Sequence, residues 1–79
     1  MANDVGVPIT EHHAGARLRK CREAKNWTVA KAVRELARVT GDQVSVFRWN
    51  HWESGLSNVP VYLTVSLGVL FDSDSNEFY

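Results

Sequence analysis

The chain has 79 residues, of which 44 % are hydrophobic and 23 % are charged, and its basic and acidic residues balance to a formal net charge of zero. This composition predicts one small globular domain and excludes a disordered chain, and a single cysteine, Cys21, excludes an internal disulfide. No apolar run approaches the roughly 18 residues of a membrane span, the N-terminus lacks a secretory pattern, and a lone cysteine is typical of a reducing compartment, so we expect a cytoplasmic protein with no membrane partner.

The zero net charge hides an uneven distribution along the chain. Lysine and arginine outnumber glutamate between residues 11 and 38, whereas Arg48 is the only basic residue from position 39 onward. Such a chain can present one basic face and one acidic face. A solvated helix surface with scattered charge accounts for the composition equally well.

The first thirteen residues contain glycine and proline without periodicity, which predicts a flexible arm over residues 1–13. His12 and His13 lack further ligands at a suitable spacing, so we predict no metal site. Helix-forming residues with an apolar stripe predict a first helix over residues 14–25, which ends at Asn26. Trp27 is predicted to close the junction to the next helix.

Two further helices are predicted from their capping residues. Thr28 caps a helix over residues 28–39, which the pair Gly41-Asp42 interrupts. Ser45 caps a helix over residues 45–54, which ends at Gly55 and carries two core tryptophans, Trp49 and Trp52.

The apolar segment over residues 58–71 is ambiguous by pattern alone. Its valines and leucines alternate strictly from position 61 to 69, which favours a strand. The Asn-x-Pro start and the row formed by Leu63, Leu67 and Phe71 favour a helix. The tail after residue 73 allows one more short helical turn.

The run V-S-V-F-R-W-N-H-W-E-S-G over residues 44–55 resembles the third helix of the phage Cro/repressor-like (Xre) family of helix-turn-helix proteins. The run R-L-R-K-C-R-E-A-K-N-W-T resembles the family's first helix and its step into the second, and L-G-V-L-F-D-S-D-S-N-E-F resembles the fourth helix and the start of the fifth. The resemblance covers residues 14–79 and implies one DNA-binding domain. It implies an all-α, compact, lambda-repressor-like bundle of about five short helices, with residues 58–71 helical.

Three departures from the family pattern stand out. Val29 replaces the glutamine that often contacts a DNA phosphate in the family. Residues 37–43 are an apparent insertion, which predicts an elongated turn between helices 2 and 3. Val46 and Phe47 occupy positions that are commonly polar.

The resemblance places the predicted third helix in the major groove, where the first half of such a helix meets base edges. The predicted base-contacting residues are Val46, Phe47, Arg48, Asn50 and His51, and the predicted phosphate-contacting residues are Arg17, Lys31 and Ser45, with Arg48 as a further candidate. The sequence is also consistent with two alternatives. The apolar pair Val46-Phe47 could cover the inserted turn, and each basic side chain could simply be solvated. The family alignment also implies a structural ion pair between Arg22 and Glu53.

The resemblance implies sequence-specific binding of double-stranded DNA by a phage or bacterial transcriptional regulator, a repressor in the bacterial cytoplasm. The alternative is a protein-interaction module on the same fold, such as an antirepressor or an antitoxin-type binder. We expect no enzyme, cofactor or small-molecule ligand, because the chain has no glycine-rich phosphate loop and no nucleophile with a nearby base motif.

Surplus apolar residues on the fourth helix and in the C-terminal tail predict a homodimer. The residues concerned are Val61, Tyr62, Val65, Val69, Phe78 and Tyr79. Packing of this surface against Val5, Val7 and Ile9 of the N-terminal arm is the alternative.

Overall fold

The computed structural model of the protein describes residues 14–78. This part of the chain is all-helical and contains no strand, with α1 at Ala14–Ala24, α2 at Val29–Thr40, α3 at Val46–Ser54, α4 at Val61–Phe71 and a 3₁₀ helix at Ser75–Phe78. The predicted all-α fold class is therefore confirmed, although the short segment after residue 73 is one 3₁₀ turn and not a fifth α-helix. The predicted arm over residues 1–13 and the terminal Tyr79 lie outside the described residues. Within residues 14–78, no helix has both the length and the apolar character that a membrane crossing needs.

The capping residues form as predicted at both central helices. The Thr28 hydroxyl oxygen accepts from the Lys31 amide at 3.1 Å, and the Ser45 hydroxyl oxygen accepts from the Arg48 amide at 3.0 Å. Both caps have extended backbone, so each helix begins one residue later than its cap. Gly41 and Gly55 end these helices at a φ of 82°, a left-handed conformation that glycine adopts without steric cost.

The connection between α2 and α3 spans residues 41–45, which is longer than the three- to four-residue turn of a tight helix-turn-helix. Positions 37–40 of the apparent insertion continue α2, so only part of it enters the connection. The connection is held at two points. Val44 is buried in the core, and Asp42 accepts hydrogen bonds that include one from the Thr40 hydroxyl at 2.7 Å. Hydrogen bonds from Ser66 of α4 and from Thr40 hold the pKa of Asp42 below its usual value.

Residues 61–71 form a helix, so the strand interpretation of the alternating pattern is wrong. Leu63, Leu67, Leu70 and Phe71 of α4 turn toward the core. The helix buries all four of these side chains on one side, whereas a strand would place Leu70 on the face opposite Leu63, Leu67 and Phe71. The opposite side of α4 remains exposed to solvent.

Aromatic residues dominate the centre of the core. Trp49 and Trp52 of α3 are almost completely buried and lie with their ring centroids 5.9 Å apart. Trp27 closes the junction of α1 and α2, as predicted, and its ring centroid lies 5.9 Å from that of Phe71. The 3₁₀ helix buries Phe78 against Phe71. The prediction that Phe78 contributes to an exposed dimer surface is therefore wrong, because this side chain completes the core of its own chain.

Candidate nucleic-acid interface

Two buried tryptophans determine which side of α3 faces solvent. An α-helix turns by about 100° per residue, so residues 47 and 54 point almost directly away from Trp49 and Trp52, and residues 50 and 51 lie about 50° to either side of that direction. Phe47, Asn50 and Ser54 are all exposed, and Phe47 exposes 69 % of its surface. The outward face of α3 therefore has a phenylalanine near its centre, and this residue lies in the first turn.

Val46 and His51 lie on either side of this outward face. Val46 exposes 42 % of its surface, and His51 is half-buried. The rings of Phe47 and His51 are in contact, with centroids 4.2 Å apart and planes tilted by 46°. Because Phe47 is so exposed, the alternative in which it covers the α2–α3 connection is wrong. The Phe47 and His51 rings instead form an aromatic pair at the surface of α3.

Arg48 takes a different position from Phe47 and Asn50. Its guanidinium carbon lies 5.4 Å from the centroid of the Trp52 ring, one turn further along α3. A cation over an aromatic face is attracted by the ring's negative face. This contact places the Arg48 guanidinium at the flank of α3, beside the Trp52 ring and away from the centre of the outward face.

A buried polar network fixes the orientation of α3 against α1. Arg22 of α1 forms two hydrogen bonds with the Glu53 carboxylate of α3, from Nε at 2.6 Å and from Nη2 at 2.9 Å. The Trp49 indole N–H also donates to Glu53, at 2.6 Å, and Arg22 Nη1 donates to the Trp27 carbonyl at 2.8 Å. The hydrogen bond with Glu53 raises the pKa of Arg22. The ion pair implied by the family alignment is thus present, and the sequence did not reveal that Trp49 and Trp27 join it.

The predicted phosphate contacts have different environments. Ser45 caps the N-terminus of α3. Lys31 of α2 lies 3.6 Å from the Glu35 carboxylate, which also pairs with Arg38 at 2.6 Å. The pKa of Glu35 is lowered, mainly by the hydrogen bond from Arg38. Two basic residues of α2 are therefore partly neutralised by one glutamate.

Arg17 is the candidate whose side chain is most clearly engaged elsewhere. Its Nε donates to the main-chain carbonyl of Glu77 at 2.5 Å and lies 3.7 Å from the Glu77 carboxylate. This contact ties α1 to the 3₁₀ helix. A phosphate contact by Arg17 requires it to leave Glu77.

The structure brings the five predicted base-contacting residues together on α3, with Ser45 at its first turn, while Arg17 and Lys31 belong to other helices. Sequence reasoning missed Ser54. This residue follows Phe47 by seven positions and Asn50 by four, a spacing that places all three on one side of a helix. The hydroxyl of Ser54 donates to the His51 carbonyl at 3.1 Å.

Among residues 14–78, no group of three or more histidine, cysteine, aspartate or glutamate side chains is arranged to hold a metal ion. No protein-family model, curated protein or solved structure matches this chain. The resemblance to the Cro/repressor-like family therefore depends on the sequence pattern alone.

Proposed function

We propose that this chain is a Cro/repressor-like helix-turn-helix domain that binds double-stranded DNA sequence-specifically and acts as a phage or bacterial transcriptional repressor. The observation that carries the proposal is the combination of a rigidly held α3 with an outward face that the core does not use. Buried Trp49 and Trp52, together with the pair formed by Arg22 and Glu53, fix the helix. An α-helix of this kind fits the major groove of B-DNA.

The charged and capping residues supply the contacts that position such a domain. Ser45 and the first amides of α3 suit a phosphate at the helix N-terminus. Arg48, at the flank of α3, suits the sugar-phosphate wall of the groove. Lys31 can contribute when it exchanges Glu35 for a phosphate. Contacts of this kind supply affinity and register, and base contacts supply specificity.

Selection of bound sites from random duplexes, followed by titration at several salt concentrations, tests the proposal. We expect one enriched sequence, with an affinity that falls steeply as salt rises, because phosphate contacts release condensed counterions. Asn50→Ala should reduce the preference for the enriched sequence, whereas Lys31→Ala should weaken all duplexes about equally. Failure to enrich any duplex at low salt contradicts the proposal.

A protein-binding module is the second candidate, and the exposed Val46-Phe47 pair favours it. An apolar contact with a partner protein should change little with salt, because screening acts on exposed charges. In that case Phe47→Ala abolishes partner binding and Lys31→Ala leaves it unchanged. The salt series therefore separates the two candidates.

We also propose that the domain acts as a homodimer through the exposed side of α4. A two-fold dimer places two recognition helices about one DNA turn, roughly 34 Å, apart and matches a palindromic site. The exposed residues on this side are Val61, Tyr62, Val65 and Val69.

A further inference from the structure

We infer that α3 is specific for A·T base pairs, with Phe47 in contact with the 5-methyl group of thymine and Asn50 paired with adenine. The inference rests on the proposed DNA binding and specifies the base pairs that α3 prefers. It follows from the positions of Phe47 and Asn50 on the outward face of α3 and of Arg48 at its flank.

The position of Phe47 carries the first step. Phe47 is 69 % exposed and lies in the first turn of α3, the part of a recognition helix whose residues contact base edges. A phenylalanine ring offers no hydrogen bond to a base edge. The thymine methyl is the apolar group that base pairs present in the major groove, so it is the group against which this ring can be buried favourably.

His51 restrains the Phe47 ring. The two ring centroids are 4.2 Å apart, and His51, one turn further along α3, is half-buried. A side chain that is already packed on one face loses less freedom when its other face meets DNA. The Phe47 ring is therefore a partly preorganised apolar contact.

Asn50 carries the second step. It is exposed, and its side chain makes no hydrogen bond within the described residues. A side-chain amide pairs with the N6 and N7 atoms of adenine through two hydrogen bonds. Residues three apart on a helix have Cβ atoms about 5–6 Å apart, and successive base pairs are about 3.4 Å apart. Phe47 and Asn50 can thus contact the same base pair or neighbouring base pairs.

The flank position of Arg48 carries the third step. Paired recognition of guanine O6 and N7 needs an arginine directed at the base edges. The Arg48 guanidinium instead lies over the Trp52 ring at 5.4 Å, beside the core. We therefore assign Arg48 to the sugar-phosphate backbone, which leaves the centre of α3 without a cation to recognise guanine.

Replacement of thymine by deoxyuridine tests the inference, because it removes the methyl group and leaves base pairing intact. The probe is the duplex enriched from random sequences, with each thymine replaced in turn. We expect one or two replacements to weaken binding by about fourfold each, the effect of one buried methyl group. Phe47→Ala should weaken binding to the thymine duplex and lose its sensitivity to the same replacements.

Arg48→Ala is the matched control on the same helix, and it should weaken the thymine and uridine duplexes by the same factor. Phe47 is exposed, so the Phe47→Ala variant should fold, which circular dichroism checks. If no duplex is enriched, the proposed DNA binding itself fails. If a duplex is bound but no uridine replacement matters, or if Phe47→Ala keeps its full methyl sensitivity, the inference on thymine is overturned while DNA binding stands.

Discussion

The guanidinium of Arg22 and the carboxylate of Glu53 join α1 to α3 through two parallel hydrogen bonds of 2.6 and 2.9 Å. The two side chains are only 13 % and 9 % exposed. Glu53 also accepts from the Trp49 indole, and Arg22 also donates to the Trp27 carbonyl. A buried charge pair is tolerable only when its groups are satisfied in this way, and loss of one partner leaves the other charge unpaired.

We therefore expect Glu53→Ala to lower the free energy of unfolding by roughly 3–5 kcal/mol. Urea denaturation followed by tryptophan fluorescence measures the change. Glu23→Ala is the matched control, because Glu23 pairs with Arg19 on the exposed side of α1 at 3.1 Å. An exposed pair of this kind contributes about 0–1 kcal/mol. A Glu53→Ala variant with the urea midpoint of the wild type contradicts a structural role for the pair.

Replacement of Gly68 by alanine should affect stability in the direction opposite to the usual one. Glycine to alanine inside a helix normally stabilises by about 0.5–1 kcal/mol. A Cβ atom at Gly68 would lie 2.7 Å from the Ser73 main-chain oxygen, so the backbone after α4 would have to move. We expect Gly68→Ala to destabilise by about 1–3 kcal/mol, the cost of overpacking.

Gly41→Ala is the comparison for the Gly68 prediction, and thermal denaturation measures both variants. Nothing lies within 4 Å of a Cβ at Gly41, but its φ is +82°. Its cost should therefore be the backbone strain alone, about 1–2 kcal/mol. A Gly68→Ala domain that is more stable than the wild type would contradict the close approach of Ser73.

Much of the fold follows from local signals in the sequence. Thr28 and Ser45 are good N-caps, and Gly41 and Gly55 are good C-caps, so the bounds of α2 and α3 were predictable within one or two residues. The burial of Trp49 and Trp52 follows from their spacing of three on a helix. The helix over residues 61–71 could not be predicted from local pattern, because its apolar residues fit both the helical period and the strand period. The prediction that this segment is helical depended on the family resemblance.

The candidate site was less predictable, because its arrangement depends on contacts between residues that are far apart in sequence. Arg17 and Glu77 are separated by 60 positions, and no local pattern links them. The burial of Phe78 likewise depends on how the 3₁₀ helix folds back onto α4. The flank position of Arg48 could have been predicted, since Trp52 follows it by four residues and must face the core.

Asp42 gives the domain an acid-sensitive contact. Hydrogen bonds from Ser66 and Thr40 lower its pKa in the folded state, so the carboxylate form is favoured by folding. The resulting stability is present above the unfolded pKa, about 3.9, and is lost as the pH falls through the lower folded pKa. NMR titration of the Asp42 carboxyl should show a pKa below the usual value, and Ser66→Ala should raise it. A pKa unchanged by Ser66→Ala contradicts the contact between the connection and α4.

Glu35 is expected to weaken DNA binding, given the proposed function, because it pairs with both Lys31 and Arg38. Glu35→Gln should release these side chains for phosphates, which raises affinity at low salt and steepens the salt dependence. Glu23→Gln on α1 is the matched control, since it changes the net charge by the same amount. Equal effects of the two substitutions would mean that overall charge, and not release of the α2 cations, changes the affinity.

The proposed self-association through α4 depends on an exposed helix side with no charge. Its four outward residues expose between 58 and 66 % of their surface, and α4 contains no charged residue. Val61, Val65 and Val69 are spaced by four positions, and Tyr62 lies beside them, so they form one continuous strip. Apolar patches of this kind mark interfaces, and an uncharged strip can meet a second copy of itself without repulsion between like charges.

Val65→Lys should therefore convert a dimer into a monomer without unfolding it, because position 65 is exposed to solvent in the single chain. Sedimentation at micromolar concentration, with and without DNA, measures the mass. Leu56→Lys is the control, since Leu56 is 74 % exposed but lies outside α4, and it should leave the dimer intact. Deletion of residues 1–13 tests the alternative in which the N-terminal arm covers the strip. If Val5, Val7 and Ile9 pack on the strip, they suppress association, and the deletion should increase it. A wild-type chain that stays monomeric in both conditions, with and without the arm, contradicts dimerisation through α4.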